Sequence, residues 1–465
     1  MRIVYVQFDP PPGFDCCELI EQPTNIASSI TGIAPSPIVV SPSMESCFLP
    51  IELCEKVMDA IPEYVEFSDI GSGWPTWPQK PWDSQQALCA CALTCHAWRV
   101  RAQYLLWTFP SIIQSQQFPG FSTAIRKSLN TSTICGLALG SLDFLNKAPA
   151  SNLSMAGELF MHSFPHLQIL MCECIRFERG PPLRVLRMRP PFFDRITSLE
   201  LFGCTFQSFR AMLDVVWACS NLATLVIGVN EIESKHCSAA GLQNLCTAAE
   251  NLRACRKLTR LWLDTNTIEG FWSPAHIGLS GIGRVFGYAV TELIFISAHR
   301  PDAFIILFKD SFPALCSVTV WFSGLDENPE LPSWLHIIAT GRPIPGVLKT
   351  IVLQCDHWAQ GLKCCGHAVG TREEVGDSAQ CVLELLPELE ELVLRLEECR
   401  HPARHAAYIW DVLPGLRNVL RFEYREDVDE DWRPYTVLQH DVPRLLAQDT
   451  DSDSDSDSDS ESESD

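Results

Sequence analysis

Three stretches decide the architecture: I-T-S-L-E-L-F-G-C-T-F over 196–206, L-A-T-L-V-I-G-V-N-E-I over 222–232 and L-T-R-L-W-L-D-T-N-T-I over 258–268. Each carries apolar residues at positions 1, 4 and 6 and a Cys or Asn at position 9. Side chains two apart on a strand share a face, so positions 4 and 6 enter a core while Cys204, Asn230 and Asn266 are placed to satisfy backbone groups where the chain turns away. The alternate positions, Ser198, Glu200, Phe202, Thr224, Val226, Gly228, Arg260, Trp262 and Asp264, face the other side.

The same 1-4-6 pattern recurs from Ile134, Leu167, Ile196, Leu222, Leu258, Val290, Leu315, Leu348, Leu389 and Leu416, with spacings from 25 to 41 residues. Self-similarity over ten units indicates a repeat array in which each strand adds to its neighbour. Helical patterns at Phe209 to Ala218, Ala248 to Cys255 and Cys381 to Leu386 fall between strands. Pro165, Pro313, Pro387 and Pro414 each stand two residues before a unit's first apolar position, where proline stops a helix. These units resemble leucine-rich repeats.

Upstream, L-P-I-E-L-C-E-K-V-M-D-A-I over 49–61 places Pro50 at a first helical position and Leu53, Val57 and Ile61 four apart, as in an amphipathic helix. Leu88 to Cys95 read as a second helix and Arg99 to Trp107 as a third, with Val100, Tyr104 and Trp107 supplying apolar contacts. Between the first two lies a Trp/Pro-rich stretch, Trp74 to Trp82, read as a loop. Three helices this short bury too little apolar surface to stand alone and call for a partner. Leu49, Pro50, Leu53, Val57, Cys95, Trp98 and Arg99 resemble the F-box family in order and spacing. The chain as a whole resembles an F-box protein of fungal type with a C-terminal leucine-rich-repeat-like region. The resemblance implies that Leu49, Pro50, Leu53, Val57, Ile61, Leu88 and Trp98 contact a Skp-type adaptor and, through it, a cullin. The chain would be the substrate-recognition subunit of a cullin-RING ubiquitin ligase and would catalyse nothing itself. A non-degradative repeat scaffold, with the helices capping the array, is the alternative.

The expected fold is α/β: a leader over 1–46, a three-helix F-box over 47–110, an irregular strand-loop-helix solenoid over 125–440 and an acidic tail over 447–465, with both ends disordered. A net charge of −22 argues against nucleic acid. No stretch of 18 apolar residues and no signal segment suggest a membrane or secretion, so a cytoplasmic or nuclear location is expected, and the 21 cysteines are expected reduced. In the tail, Ser452, Ser454, Ser456, Ser458, Ser460 and Ser462 each have an acid three residues on, the pattern an acidophilic kinase favours. A purely solubilising tail is the other reading.

Cys355, His357, Cys364, Cys365 and His367 have zinc-ligand chemistry but no standard finger spacing, and G-I-G-R-V-F-G over 281–287 departs from a phosphate loop, so neither metal nor cofactor is expected. A protein substrate is expected at Phe202, Arg260 and Trp262, since exposed aromatics and arginine on a rigid sheet are the usual hot-spot types. A neighbouring loop covering Trp262 is the competing expectation.

Overall fold

The computed structural model describes residues 51–60, 79–94, 96–112, 134–139, 164–177, 193–228, 230–234, 239–252, 255–264, 285–286, 288–297, 312–322, 348–355, 382, 384, 386–397, 402–425, 432–438 and 440–447. The leader, the acidic tail with its serines, Leu49, Pro50, Ile61, Gly281, Gly283 and Gly287, and His357 to His367 lie outside these residues. Among the described residues the protein is mixed α/β, with seven helices and a large, mostly parallel sheet.

The chain opens with α1 (Ile51–Ala60), α2 (Gln79–Thr94) and α3 (His96–Thr108). Strands follow as β1 (Ser111–Ile112), β2 (Gly136–Leu139), β3 (Ile169–Glu173), β4 (Arg176–Phe177), β5 (Ser198–Phe202), β6 (Thr205–Ser208), β7 (Thr224–Ile227), β8 (Glu231–Ser234) and β9 (Arg260–Asp264). Helix α4 (Phe209–Ala218) follows β6, and α5 (Ala239–Leu252) follows β8. Then come β10 (Glu292–Ser297), β11 (Ser317–Phe322), β12 (Thr350–Cys355), β13 (Glu391–Glu397), α6 (Pro402–Val412), β14 (Leu420–Arg425), β15 (Arg433–Tyr435) and α7 (Val442–Ala447). The large sheet runs β1-β2-β3-β5-β7-β9-β10-β11-β12-β13-β14-β15, parallel throughout except for the antiparallel last pair, and β4-β6-β8 make a second, short sheet.

Positions 4 and 6 of every unit through β13 point into one continuous core, as the periodicity requires: Leu199 and Leu201, Leu225 and Ile227, Leu261 and Leu263, Leu293 and Phe295, Leu392 and Leu394. Each such side chain contributes about 1.5–3 kcal/mol by leaving water. The last unit differs from its sequence pattern. Leu420 and Phe422, not Val419 and Arg421, are the fully buried pair, with Val419 only partly buried against the core, because a 3-10 turn at Pro414–Leu416 and a further turn bond from Val419 to Leu416 absorb one extra residue.

Two features recur at the strand starts. In the large sheet the carbonyl before each strand from β2 to β12 accepts two amides from the next unit: Gln168 from Thr197 and Ser198 (2.8 and 3.0 Å), Thr259 from Thr291 and Glu292 (2.8 and 3.0 Å), Lys349 from Glu390 and Glu391 (2.8 and 3.0 Å) among them. The amide of position 1 turns back to the carbonyl three residues earlier, Leu167 to Phe164, Leu258 to Cys255, Leu315 to Phe312 and Leu389 to Leu386 among them. Those earlier residues are themselves buried, a fourth periodic core position. Pro165, Pro313, Pro387 and Pro414 fall just after it, so proline presets the second residue of a tight turn here as well as excluding helix.

Asn230 shows why position 9 is polar. Its carboxamide donates to the carbonyls of Leu201 (3.0 Å) and Gly228 (2.8 Å) and accepts from the Cys204 amide (2.8 Å). One unit earlier Cys204 does the same with sulfur, reaching the carbonyls of Cys172 (3.2 Å) and Phe202 (3.3 Å) and taking the Ile175 amide. After β3 and β5 the chain turns through left-handed conformations at Cys174 (φ 51°) and Gly203 (φ 57°), equivalent positions of neighbouring units.

The short sheet sits beyond this turn, with Phe177 and Phe206 stacked at 4.6 Å. It leads into α4, capped by the Ser208 hydroxyl, which accepts the Ala211 amide at 3.2 Å. Helix α4 spans the expected residues, whereas α5 begins nine residues before the expected Ala248. Trp217 on α4 donates to the Val285 carbonyl at 3.3 Å, tying the helical layer to the unit that starts at Leu258, two units on.

In the helical unit α2 starts at Gln79, well before Leu88, so the expected loop ends sooner. Pro81 lies in its first turn, where a missing N–H breaks no helical bond. The unit's own core is small: Met58, Leu88, Ala92 and Ala102, with Trp98, Leu105 and Leu106 against it. It joins the sheet without a break. Thr108 and Pro110 carbonyls accept the Cys135 and Ala138 amides (both 3.0 Å), β1 pairs with β2, and the Phe109 ring lies over Gly136, where an added Cβ would come within 1.9 Å of it. The other sheet edge is closed by antiparallel β15, with Val437, Val442 and Leu445 against the core. The sheet thus ends on both sides in a short strand, two residues long in β1 and three in β15, which limits the unpaired edge offered to other strands.

Candidate functional site

The helical unit presents an apolar surface. On α1, Cys54 and Met58 turn inward, which leaves Leu53 and Val57 (57% exposed) outside, one turn apart. On α3 the small Ala102 takes the inner position, and Val100 (64% exposed) and Tyr104 point out, as does Leu93 on α2. Sequence reading had Val100 and Tyr104 as packing contacts. The structure reverses this, because the close approach of α2 to α3 is made through alanines 92 and 102. An exposed i, i+4 pair beside a buried alanine is the signal that was available. Of the expected adaptor contacts, Leu53 and Val57 are outward, whereas Leu88 is a core residue and Trp98 is half-buried against that core. Arg101 holds α3 to α1 through Asp59 (2.7 Å) and lies over the Tyr104 ring at 5.3 Å.

The second surface is the sheet face opposite the core. Here the expectation of three accessible contact residues is corrected. Trp262 is 1% exposed, in a second apolar cluster with Val226, Ile294 and Trp321, and Phe202 packs on it edge-to-face with ring centroids 5.9 Å apart. Val226, Trp262 and Ile294 occupy one register across β7, β9 and β10, so the rows of alternate side chains pack on one another. Phe202 reaches Trp262 by lying over Gly228, where a Cβ would approach its ring to 2.2 Å. Arg260, half-buried, is engaged by Glu292 on β10 at 2.7 Å. Farther along, Arg395 pairs with Glu423 (2.7 Å) beneath Trp432, and Arg421 approaches Glu391 at 4.0 Å.

Between β3 and β7 the same face carries carboxyls of a different kind. Glu200, on β5, is 1% exposed, and its Oε1 takes a long bond from the Ser198 hydroxyl (3.4 Å). Its Oε2 has no hydrogen-bond partner. Burial holds this carboxyl well above the usual carboxylate range, and burial pushes Glu173, at the end of β3, up to about 7. Sequence reading placed Glu200 on this face without singling it out, although an acid framed by leucines in L-E-L-F was the available cue.

A groove of about 530 Å³ runs along the strand starts past Pro165, Gln168, Asp194, Asn221 and Lys257. Its polar groups satisfy one another: Lys257 donates to Asn221 (2.6 Å), Ser220 to Asp194 (2.7 Å), and the Asn221 amide to the Asp194 carbonyl. Burial raises Cys172 to about 12, Cys174 to about 11 and Cys255 to about 12, so these thiols stay protonated and serve packing rather than nucleophilic chemistry. Among the described residues no three His, Cys, Asp or Glu side chains form a metal-holding group, and no helix is long and apolar enough to cross a membrane.

Comparison with protein-family models and with curated proteins returns no match for the chain.

Proposed function

We propose that the protein is a substrate receptor of a Skp-cullin-F-box type ubiquitin ligase, in which α1 to α3 are an F-box that docks a Skp-type adaptor and the strand units are an irregular leucine-rich-repeat array that binds a protein substrate. The observation that carries this reading is the outward apolar set Leu53, Val57, Val100 and Tyr104 on a unit whose buried hydrophobic residues, among the described residues, are Cys54, Met58, Leu88, Ala92 and Ala102. Leaving such a surface in water is unfavourable, and covering it by association is the usual remedy. One parallel strand per unit, in chain order, with Cys204 and Asn230 holding two successive turns, supports the repeat reading. The receptor performs no bond-making step. It raises the concentration of substrate near a conjugating enzyme.

A second reading, a repeat scaffold whose helices serve as an end cap, is favoured by the bonds from Thr108 and Pro110 and by Phe109 on Gly136. The test is capture of adaptor and cullin from the native extract by the tagged full chain and by Leu53→Asp/Val57→Asp. Adaptor with the unaltered chain alone, both baits being equally folded by circular dichroism, is the expected result. Adaptor with neither bait overturns the receptor reading and leaves the scaffold.

A further inference from the structure

We propose that the sheet face at β3 and β5 is a subsite for a basic side chain of the bound protein, a lysine or arginine, seated on the half-buried carboxyl of Glu173, with that of Glu200 behind it, against Phe202. The proposal deepens the receptor reading and rests on it for the identity of the ligand as a protein segment.

Three carboxylates elsewhere on this face are matched by cations from neighbouring strands: Glu292 by Arg260, Glu423 by Arg395, and Glu391 by Arg421. Glu200 and Glu173 have no such partner among the described residues, and Glu200 Oε2 is buried with no hydrogen bond at all. Leaving a carboxyl oxygen so placed is unfavourable, a deficit that an arriving donor removes. Met171 pairs with Glu200 and Glu173 with Phe202, so the two acids stand diagonally on adjacent strands of one face, within reach of a single head group.

The chemistry of the donor follows from the surroundings. Two carboxyls beside an edge-to-face Phe202–Trp262 pair suit an organic cation, which gains both charge pairing and ring attraction. A hard metal ion requires six or more oxygens, which this apolar wall does not supply. Ser198, Phe202 and Glu173, the neighbours of buried Glu200 on this face, are half-buried, and the Phe202 ring offers apolar surface to the methylenes of a long side chain. The chain's net charge of −22 complements a basic partner.

The experiment uses the full chain and fluorescein-labelled dodecapeptide pools, random except for a central residue fixed as Lys, Arg or norleucine. Polarisation is read at about 0.3 M salt, where the general pull of an acidic protein is screened. The Lys and Arg pools are expected to bind about tenfold tighter than norleucine, and Glu200→Gln to erase that preference. If Glu200→Gln fails to fold, the half-exposed Glu173→Gln carries the test, with a reduced preference expected. Pools that bind alike, or a preference unchanged in the folded variant, overturn the proposal. Adaptor capture is measured on the same samples. Capture without basic preference sinks the subsite alone, whereas basic preference without capture sinks the ligase reading and leaves the subsite.

Discussion

The helical unit and the strand array make opposite use of their apolar residues. The array buries the leucines of successive units in one continuous core, while α1 and α3 turn Leu53, Val57, Val100 and Tyr104 to water around a small core built on Met58, Leu88, Ala92 and Ala102. The same residue type therefore has different work in the two places: in the array it holds the protein together, and in the helical unit it is available for association. The contrast is a direct consequence of size, since three short helices have too little interior to hide their own surface.

The sharpest way to break this contrast is a matched pair of truncations. Leu261→Ala, in the array core, is expected to cost about 2–5 kcal/mol in urea unfolding, and Leu53→Ala less than about 0.5 kcal/mol. Equal losses would mean that Leu53 is structural, and the docking role would lose its basis. Next in size is Asn230→Ala, which strands the carbonyls of Leu201 and Gly228 and the Cys204 amide and is expected to cost about 1–3 kcal/mol. Asn230→Cys, which copies the preceding unit, should recover part of that loss. If both variants unfold alike, the sulfur and the carboxamide are not equivalent.

A third measurement concerns pH. The folded chain keeps the Glu173 proton up to about pH 7, whereas an ordinary glutamate releases it near 4.5. The native state therefore binds more protons across that window. Stability from this group is complete below pH 4.5 and is lost as pH rises through 7, by up to about 3 kcal/mol before relaxation and solvent screening. Glu173→Gln should flatten that slope in unfolding curves taken from pH 5 to 8, and an unchanged slope would assign it to other groups. The smallest effect belongs to the helical unit. Arg101→Ala removes a half-exposed pair with Asp59 and should cost about 0.2–1 kcal/mol by thermal unfolding, less with added salt. A larger loss would show that this bridge, rather than Met58 and its neighbours, holds α1 to α3.

Sequence periodicity exposed the mixed α/β class, the strand units and the position-9 turn residues, because each depends on local spacing that a chain displays openly. It did not expose the burial of Trp262. That depends on Phe202 crossing Gly228 and on Ile294 and Trp321 arriving from later units, contacts between residues far apart in the chain. The slip at Leu420 escaped for a related reason, since a turn within 414–419 absorbs a residue without altering composition. Outward Val100 and Tyr104 were misread because an apolar residue on a helix looks the same whether it packs within its own unit or awaits another.

The paired amides at each strand start have one more consequence. Lys349 bonds to Glu390 and Glu391 across about forty intervening residues with the same geometry that Thr197 uses to reach Ala223 and Thr224 across twenty-six. Alignment of the strands is thus independent of how much chain is inserted between them. Loops in this protein can lengthen, shorten or diversify over evolutionary time while the frame that carries them stays fixed, which is the property wanted of a scaffold whose partners change faster than its architecture.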